Sequence, residues 1–308
     1  MKMNRTKKSS NLEGRTVYTA YVPHGVSEKF KPLKSSKDGI KQISDMKEKL
    51  GISNKTFILL YNNRNIRRKN PGDVILAYKE FCDTLTPEAA KDVLLLMHTQ
   101  RVDANGTDLN EVIKHNCAEY DVKFTDAQFS TEDLNVLYNV ADVTINMASN
   151  EGFGLATCES IKAGTPIIVN VTGGLQDHCG FTKNGKLLTA DDYIELGSLH
   201  NRKKLPENLS WGSWVNPIWP TNRSLQGSPM TPYIFDDRCS YEDAAKAIKQ
   251  WYDTSADRRI ECGLEGSEFA NSEESGMSAH YMGERFISAM DSVLEKWSKN
   301  QDIVLWKI

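Results

Sequence analysis

Two glutamates, Glu151 and Glu159, stand eight positions apart around a glycine-bearing turn, Asn150-Glu151-Gly152-Phe153-Gly154-Leu155, that joins an apolar run to a helical pattern. The glycines allow close backbone approach to a ligand. A helix beginning near Gly154 or Leu155 would aim free N–H groups and the positive end of its dipole at an anion. Glu159, one turn into that helix, would accept hydrogen bonds from sugar hydroxyls, and Glu151 would lie on the other side of the phosphates. The same residues also suit a glycine-permitted turn with two solvated glutamates, and taken alone they leave both readings open.

A second cluster, Arg64, Arg67, Arg68 and Lys69, places four cations within six residues directly after another apolar run. Such a loop suits a diphosphate, or it is simply a solvated basic loop. No G-x-G-x-x-G follows a strand and no G-x-x-x-x-G-K-[ST] occurs, which argues against a dinucleotide-binding or P-loop enzyme. The six cysteines keep more than four residues between neighbours, so no C-x-x-C or zinc-knuckle spacing exists, and a reducing cytoplasm is the expected compartment.

Both clusters need a scaffold that brings strand ends together. KTFILLYN (Lys55–Asn62), DVLLLMHT (Asp92–Thr99), VKFT, ADVTINMA and TPIIVNV read as buried strands. Between them, helical spacing is carried by Val74, Ile75, Tyr78 and Phe81, then by Leu109, Val112 and Ile113, and again from Thr131 to about Val140. Strands alternating with helices predict an α/β fold with a doubly wound parallel sheet, whose strands are apolar throughout because both faces are covered. Ligands in such folds bind at the carboxyl ends of the strands. A strand is also expected at Thr16–Val22, a disordered tail over residues 1–15, an aromatic and proline-rich insertion at 197–235, and a last helix from Met277 to Trp297 followed by the short apolar tail DIVLWKI.

Composition sets the outer limits. With 308 residues, 39% hydrophobic and 26% charged, the chain is long enough for one large domain or two small ones. A formal charge of −3 argues against a dedicated nucleic-acid binder. No apolar run approaches the length of a membrane span, and the basic start MKMNRTKKSSN lacks the apolar core of a signal peptide.

SNEGFGLATCESIKAGTPIIVNVTGG closely resembles the E-x7-E signature of family-four glycosyltransferases, enzymes of the GT-B architecture with two facing Rossmann-like domains. YVPHGVSEKFKP is similar to that family's interdomain segment, NRNIRRKNP to its phosphate-binding Arg…Lys loop, and FSTEDLNVLYNVADV to the stretch leading into the signature. The resemblance covers about residues 20–180 well and residues 240–297 loosely.

It implies that Arg64 and Lys69 contact the diphosphate of a nucleotide-sugar donor and that backbone amides around Phe153, Gly154 and Leu155 cradle phosphate and sugar. It further implies that Glu159 binds the ribose, that Glu151 holds hydroxyls of the transferred sugar, and that Phe129 meets the base through its backbone. Transfer to an acceptor (glycan, lipid or protein) would be of the retaining type, with neither metal nor cofactor. On this reading residues 16–300 form a Rossmann-like donor-binding domain like the C-terminal half of a GT-B enzyme, and the N-terminal acceptor domain is absent. The family's cleft histidine then has no counterpart, although His24 and His98 are nominees. A partner chain or self-association would replace the missing half. The alternative is a catalytically silent nucleotide-sugar-binding subunit or half of a split enzyme, and a nucleotide-sugar epimerase is a weaker third reading. The tryptophans of 197–235 would either form a platform for an acceptor sugar or pack into a small core of their own.

Overall fold

The computed structural model describes residues 10–12, 15–17, 22–125, 128–195 and 207–296. The described chain opens with β1 (Ser10–Leu12) paired antiparallel to β2 (Arg15–Val17). The disordered tail expected over residues 1–15 is thereby corrected at its end, because two short segments satisfy each other's backbone groups by pairing. Residues 1–9 lie outside the described residues. Of the strand expected over Thr16–Val22, Thr16 and Val17 are in β2, and residues 18–21 also lie outside.

The α/β unit follows as α1 (Lys37–Lys49), β3 (Phe57–Asn62), α2 (Pro71–Cys82), α3 (Pro87–Lys91), β4 (Val93–His98), α4 (Leu109–Asn116) and β5 (Val122–Phe124). It continues with α5 (Thr131–Val140), β6 (Val143–Asn146), α6 (Leu155–Lys162) and β7 (Ile167–Asn170). Small strands β8 (Thr182–Lys183), β9 (Lys186–Leu187) and β10 (Leu209–Ser210) surround α7 (Ala190–Glu195) in the chain. Then come β11 (Val215–Ile218), the ribbon β12 (Asn222–Ser228) and β13 (Thr231–Arg238), and helices α8 (Tyr241–Asp253), α9 (Ala256–Asn271) and α10 (Ala279–Lys296). Local chemistry sets the boundaries. Ser36, Ser130 and Ser240 each accept an N–H in the first turn of the helix that follows, at 3.1 Å, and Pro71 occupies the first turn of α2, where its missing N–H costs nothing.

Six parallel strands form the main sheet in the order β11-β7-β6-β3-β4-β5. Side chains alternate across it. Phe57, Leu59 and Tyr61 of β3 pack with Val74, Ile75 and Tyr78 of α2 and with Ile248 and Trp251 of α8. Ile58 and Leu60 pack on the opposite face with Met46 of α1, Leu137 and Tyr138 of α5 and Cys158 of α6. Each such fully buried side chain contributes about 1.5–3 kcal/mol, so the sheet is the rigid part on which the loops stand. The order contains one reversal: from β3 the chain builds outward through β4 and β5, then returns to the other side of β3 as β6. The loops leaving β3 and β6 therefore emerge side by side, with a crevice between them.

The region expected as an insertion at 197–235 is only partly one. Residues 196–206 lie outside the described residues, but Val215–Ile218 is the sixth strand of the sheet, pairing parallel with β7. Pro217 is compatible with this place because β11 is an edge strand, where one missing N–H disrupts no ladder. Trp214 and Trp219 are buried with Phe181 and Leu188, and the Trp214 ring stacks on Phe269 at 4.8 Å. Trp211 is 43% exposed. The last helix starts two residues later than expected, after Val26 N donates to Met277 O at 2.9 Å and Ala279 N to Val26 O at 3.0 Å. Its outer side carries Phe286, Ile287, Met290, Val293 and Leu294 as an exposed apolar stripe. Trp297 and the apolar tail lie outside the described residues. All six cysteines are buried free thiols, and among the described residues no helix is long and apolar enough to cross a membrane.

Candidate functional site

The cation loop leaves β3 and is fixed from two sides. Asn65, fully buried, donates through Nδ2 to Thr107 O at 2.7 Å and to Gln100 O at 3.2 Å, while Arg68 O accepts from Ser149 N at 2.8 Å. Asn70 adds a bond from Nδ2 to Met147 O at 2.8 Å, in a left-handed conformation (φ 49) that turns the chain into α2. The loop after β3 is thus sewn to the loop after β6, the two that flank the reversal in strand order.

That stitching brings Lys69 and Arg68 onto Glu151. Lys69 Nζ bonds Glu151 Oε1, and Arg68 Nη1 lies 2.7 Å from Oε2 and 2.7 Å from Asn150 O. Lys69 is 7% exposed and Glu151 8%, whereas the Arg68 side chain is about half open to solvent. Burial draws the Lys69 pKa below its ordinary value, and the hydrogen bond and charge of Glu151 resist that shift. Arg64 is placed differently. It is exposed and forks onto Asp103, with Nε 2.8 Å from Oδ2 and Nη2 3.3 Å from Oδ1. Of the cations in the loop, Arg68 and Lys69 therefore face the glutamate turn, while Arg64 borders a neighbouring cavity.

The turn itself is built by glycines. Gly154 caps α6 at φ 90, and a Cβ there would come within 2.7 Å of Leu175 Cδ2, so the position admits glycine alone without strain. Gly174 N donates to Glu151 O at 2.9 Å, and a Cβ on Gly173 would collide with that carbonyl. These contacts fix the backbone from Glu151 to Gly154, at whose end the first amides of α6 lack partners within the helix. Phe153 lies between two histidines, stacked on His24 at 5.5 Å and edge-on to His178 at 5.0 Å. Leu155, the first helical residue, is about half exposed.

Glu159 is anchored by a chain of hydroxyl and amide. Tyr138 Oη donates to Glu159 Oε2 at 2.8 Å and accepts from Asn62 Nδ2 at 2.6 Å. Burial raises the Glu159 pKa, and the tyrosine hydrogen bond opposes the rise. Asn62 in turn lines a cavity of about 1020 Å3 together with Arg64, His98, Thr99, Thr125 and Gln128. Phe129 stands next to it in sequence and stacks on His98 at 5.1 Å, whose Nδ1 is 2.5 Å from Thr125 Oγ1. Burial lowers the His98 pKa.

Three features are given no role by residue spacing. Tyr138 and Asn62 sit in an α-helix and at a strand end, and only their polar tips in apolar runs mark them. His178 is fully buried, with neither ring nitrogen partnered among the described residues, and burial holds its pKa down at about 4 although Glu151 pulls it upward. Asp237, at the foot of the β12–β13 ribbon, gives its N–H to Ser149 O at 2.8 Å, accepts from Asn170 Nδ2 on its carbonyl at 2.6 Å and from Thr172 Oγ1 on its carboxylate at 2.8 Å. Asn150 Nδ2 reaches Phe235 O at 3.2 Å. The ribbon is therefore fastened to the loop that carries Glu151. Among the described residues no three His, Cys, Asp or Glu side chains gather as a metal ion would require.

The family described as glycosyl transferases group 1 matches this chain through residues 42–197. Alpha-monoglucosyldiacylglycerol synthase of Acholeplasma laidlawii is 26% identical over 191 residues, covering 61% of this chain and 44% of that protein. D-inositol 3-phosphate glycosyltransferase of Corynebacterium jeikeium is 26% identical over 164 residues, covering 53% of this chain and 39% of that protein. The chain thus spans less than half the length of the curated relatives it matches. Among solved structures, sucrose-phosphate synthase from Thermosynechococcus elongatus superposes with a TM-score of 0.58 at 17% identity, over 90% of this chain and 53% of that one. Anabaena Alr3699/HepE in complex with UDP-glucose gives 0.56 at 15% identity, over 87% of this chain and 56% of that one. At such identities the likeness is one of fold, and that fold is the GT-B type.

Proposed function

The chain belongs to the glycosyl transferases group 1 family, and on that premise we propose that it binds a nucleotide-diphosphate sugar and serves in sugar transfer to an acceptor with retention of configuration. The observation that carries the reading is the convergence of Lys69 and Arg68 on Glu151, which lies in the turn that leads into the glycine-capped start of α6 and packs its side chain beside Gly154. Two cations and a helix N-terminus suit a diphosphate. Lys69, joined by Arg64 or Arg68, holds that group, and the amides of Phe153, Gly154 and Leu155 complete the cradle. Glu151 takes hydroxyls of the transferred sugar. Glu159, steadied by Tyr138, takes the ribose, and the base enters the cavity beside Phe129 and His98.

Chemically, the burden falls on the leaving group. As the bond from the anomeric carbon to the diphosphate oxygen lengthens, negative charge grows on that oxygen, and fixed cations and amides stabilise it without reorganising. The acceptor attacks from the same face, and its proton passes to the departing diphosphate. No metal is required by this scheme. A cytoplasmic site of action is part of the proposal, in keeping with six buried free thiols.

A second reading, a donor-binding subunit without turnover of its own, is favoured by one observation: the exposed apolar stripe from Phe286 to Leu294 on α10, which a partner chain or a second copy would cover. Thermal-shift titration with UDP, GDP and ADP and their sugar conjugates tests the common core. Ligand at about a hundredfold its Kd stabilises by about 2.7 kcal/mol, a shift of several degrees. A shift selective for one base supports donor binding, and no shift with any of them would refute it. Hydrolysis or transfer of the selected donor then separates the two readings.

A further inference from the structure

The two cations that meet the turn before α6 are not idle. Both oxygens of Glu151 are occupied, one by Lys69 and one by Arg68, and Lys69 and Glu151 are buried together. Lys69 is buried on Glu151, so a diphosphate that draws on its charge competes with the carboxylate for it, and Arg68, bonded to Glu151 through Nη1, is shared between the two anions. We propose that Glu151 competes with the diphosphate for Lys69 and Arg68, so that the site discriminates the intact nucleotide sugar from the bare nucleoside diphosphate by exchange of partners. This inference rests on the donor reading above and adds to it a rule of selection.

The exchange is confined to side chains. Gly174 N holds the Glu151 carbonyl at 2.9 Å, and Gly173 packs against the same carbonyl, so the backbone cannot follow the carboxylate. A carboxylate stripped of its cations in a buried place carries a large desolvation cost unless donors replace them. The neighbouring His178 is neutral at pH 7 and brings no charge. Sugar hydroxyls are donors. A nucleotide sugar therefore offers phosphate to the cations and hydroxyls to the glutamate at once, whereas a nucleoside diphosphate offers only the first and leaves Glu151 pulling the cations back. Once the sugar has been transferred, the same competition favours release of the nucleoside diphosphate.

The test uses inorganic pyrophosphate, which lacks both base and sugar, titrated calorimetrically into the full chain. Glu151→Gln removes the competing charge, and the expected result is binding about tenfold tighter than wild type, equivalent to about 1.4 kcal/mol. Binding equal to or weaker than wild type, or no binding in either protein, overturns the inference. If Glu151→Gln does not fold with Lys69 left unpaired, Arg68→Gln, on a half-exposed side chain, carries the test. It should weaken pyrophosphate binding several-fold, and unchanged binding would show that Arg68 never leaves Glu151. Failure of the donor reading is seen separately, as a normal pyrophosphate response with no response to any nucleotide sugar.

Discussion

Tyr138 donates its hydroxyl to Glu159 Oε2 at 2.8 Å while accepting from Asn62 Nδ2 at 2.6 Å, joining α6 to the end of β3 through a fully buried ring. The carboxylate assigned to the ribose is thus oriented by a residue that a ligand need not touch.

Tyr138→Phe keeps the ring and deletes this relay. Asn62 Nδ2 loses its acceptor and Glu159 a donor, at the edge of the cavity that Asn62 lines, while the space left by the hydroxyl lies against a fully buried ring. Stability should fall by about 0.5–1.5 kcal/mol in urea unfolding. Affinity for nucleoside diphosphate should also fall several-fold as Glu159 loses its fixed rotamer.

Glu159→Ala removes the proposed ribose contact and leaves the cation cluster intact. Nucleoside diphosphate affinity should drop about tenfold, the usual size of one lost charge-assisted hydrogen bond. Pyrophosphate affinity should not change. Equal affinity of the wild type and the variant for every nucleoside diphosphate would sink the ribose assignment.

Gly154→Ala puts a Cβ 2.7 Å from Leu175 Cδ2 at a residue with φ 90. The strain of the left-handed backbone alone is about 1–2 kcal/mol, and the clash adds to it. The variant should melt several degrees below wild type and lose most of its pyrophosphate binding, because relief of the clash tilts the first turn of α6. Retained binding at wild-type affinity would mean that these amides are not part of the cradle.

His178 supplies a pH dependence. Its folded pKa of about 4 lies below the ordinary imidazole value of 6.5, because burial disfavours the charged ring, so the unfolded chain binds the extra proton first as pH falls. Its contribution is full above pH 6.5 and is lost as pH drops toward 4, in total about 3 kcal/mol. In His178→Leu the slope of unfolding free energy against pH should flatten in that window relative to wild type. Identical slopes would show that the imidazole is hydrated in the folded protein.

Much of this architecture is legible in the sequence, for a physical reason. Strands covered on both faces must be apolar throughout, and β3, β4, β6 and β7 are such runs. The turn from Glu151 to Leu155 announces itself because only glycine tolerates the backbone at Gly154. What spacing cannot supply is direction. Arg64 and Arg68 are equivalent cations in a list of residues, but Asp103, 39 positions away, draws the first outward, and the 3-10 turn at Arg67–Lys69 carries the second to Glu151. Strand β11 is hidden by Pro217 and its tryptophan neighbours, which are tolerable only because the strand lies at the edge. His178 is invisible since its isolation is produced by packing from Phe153, Gly154 and Trp214 rather than by any local pattern.

The reversal of strand order beside β3 also sets a sequence of events in folding. Lys69 and Glu151 are 82 residues apart along the chain, and they meet only when β6 docks against β3, after the wing of β4 and β5 has had the chance to form from nearer partners. The Lys69–Glu151 contact, and with it the proposed anion site, is therefore expected to be among the last features to mature. In a refolding experiment, recovery of pyrophosphate binding should lag behind recovery of helical signal, so that the ligand serves as a clock for closure of the sheet.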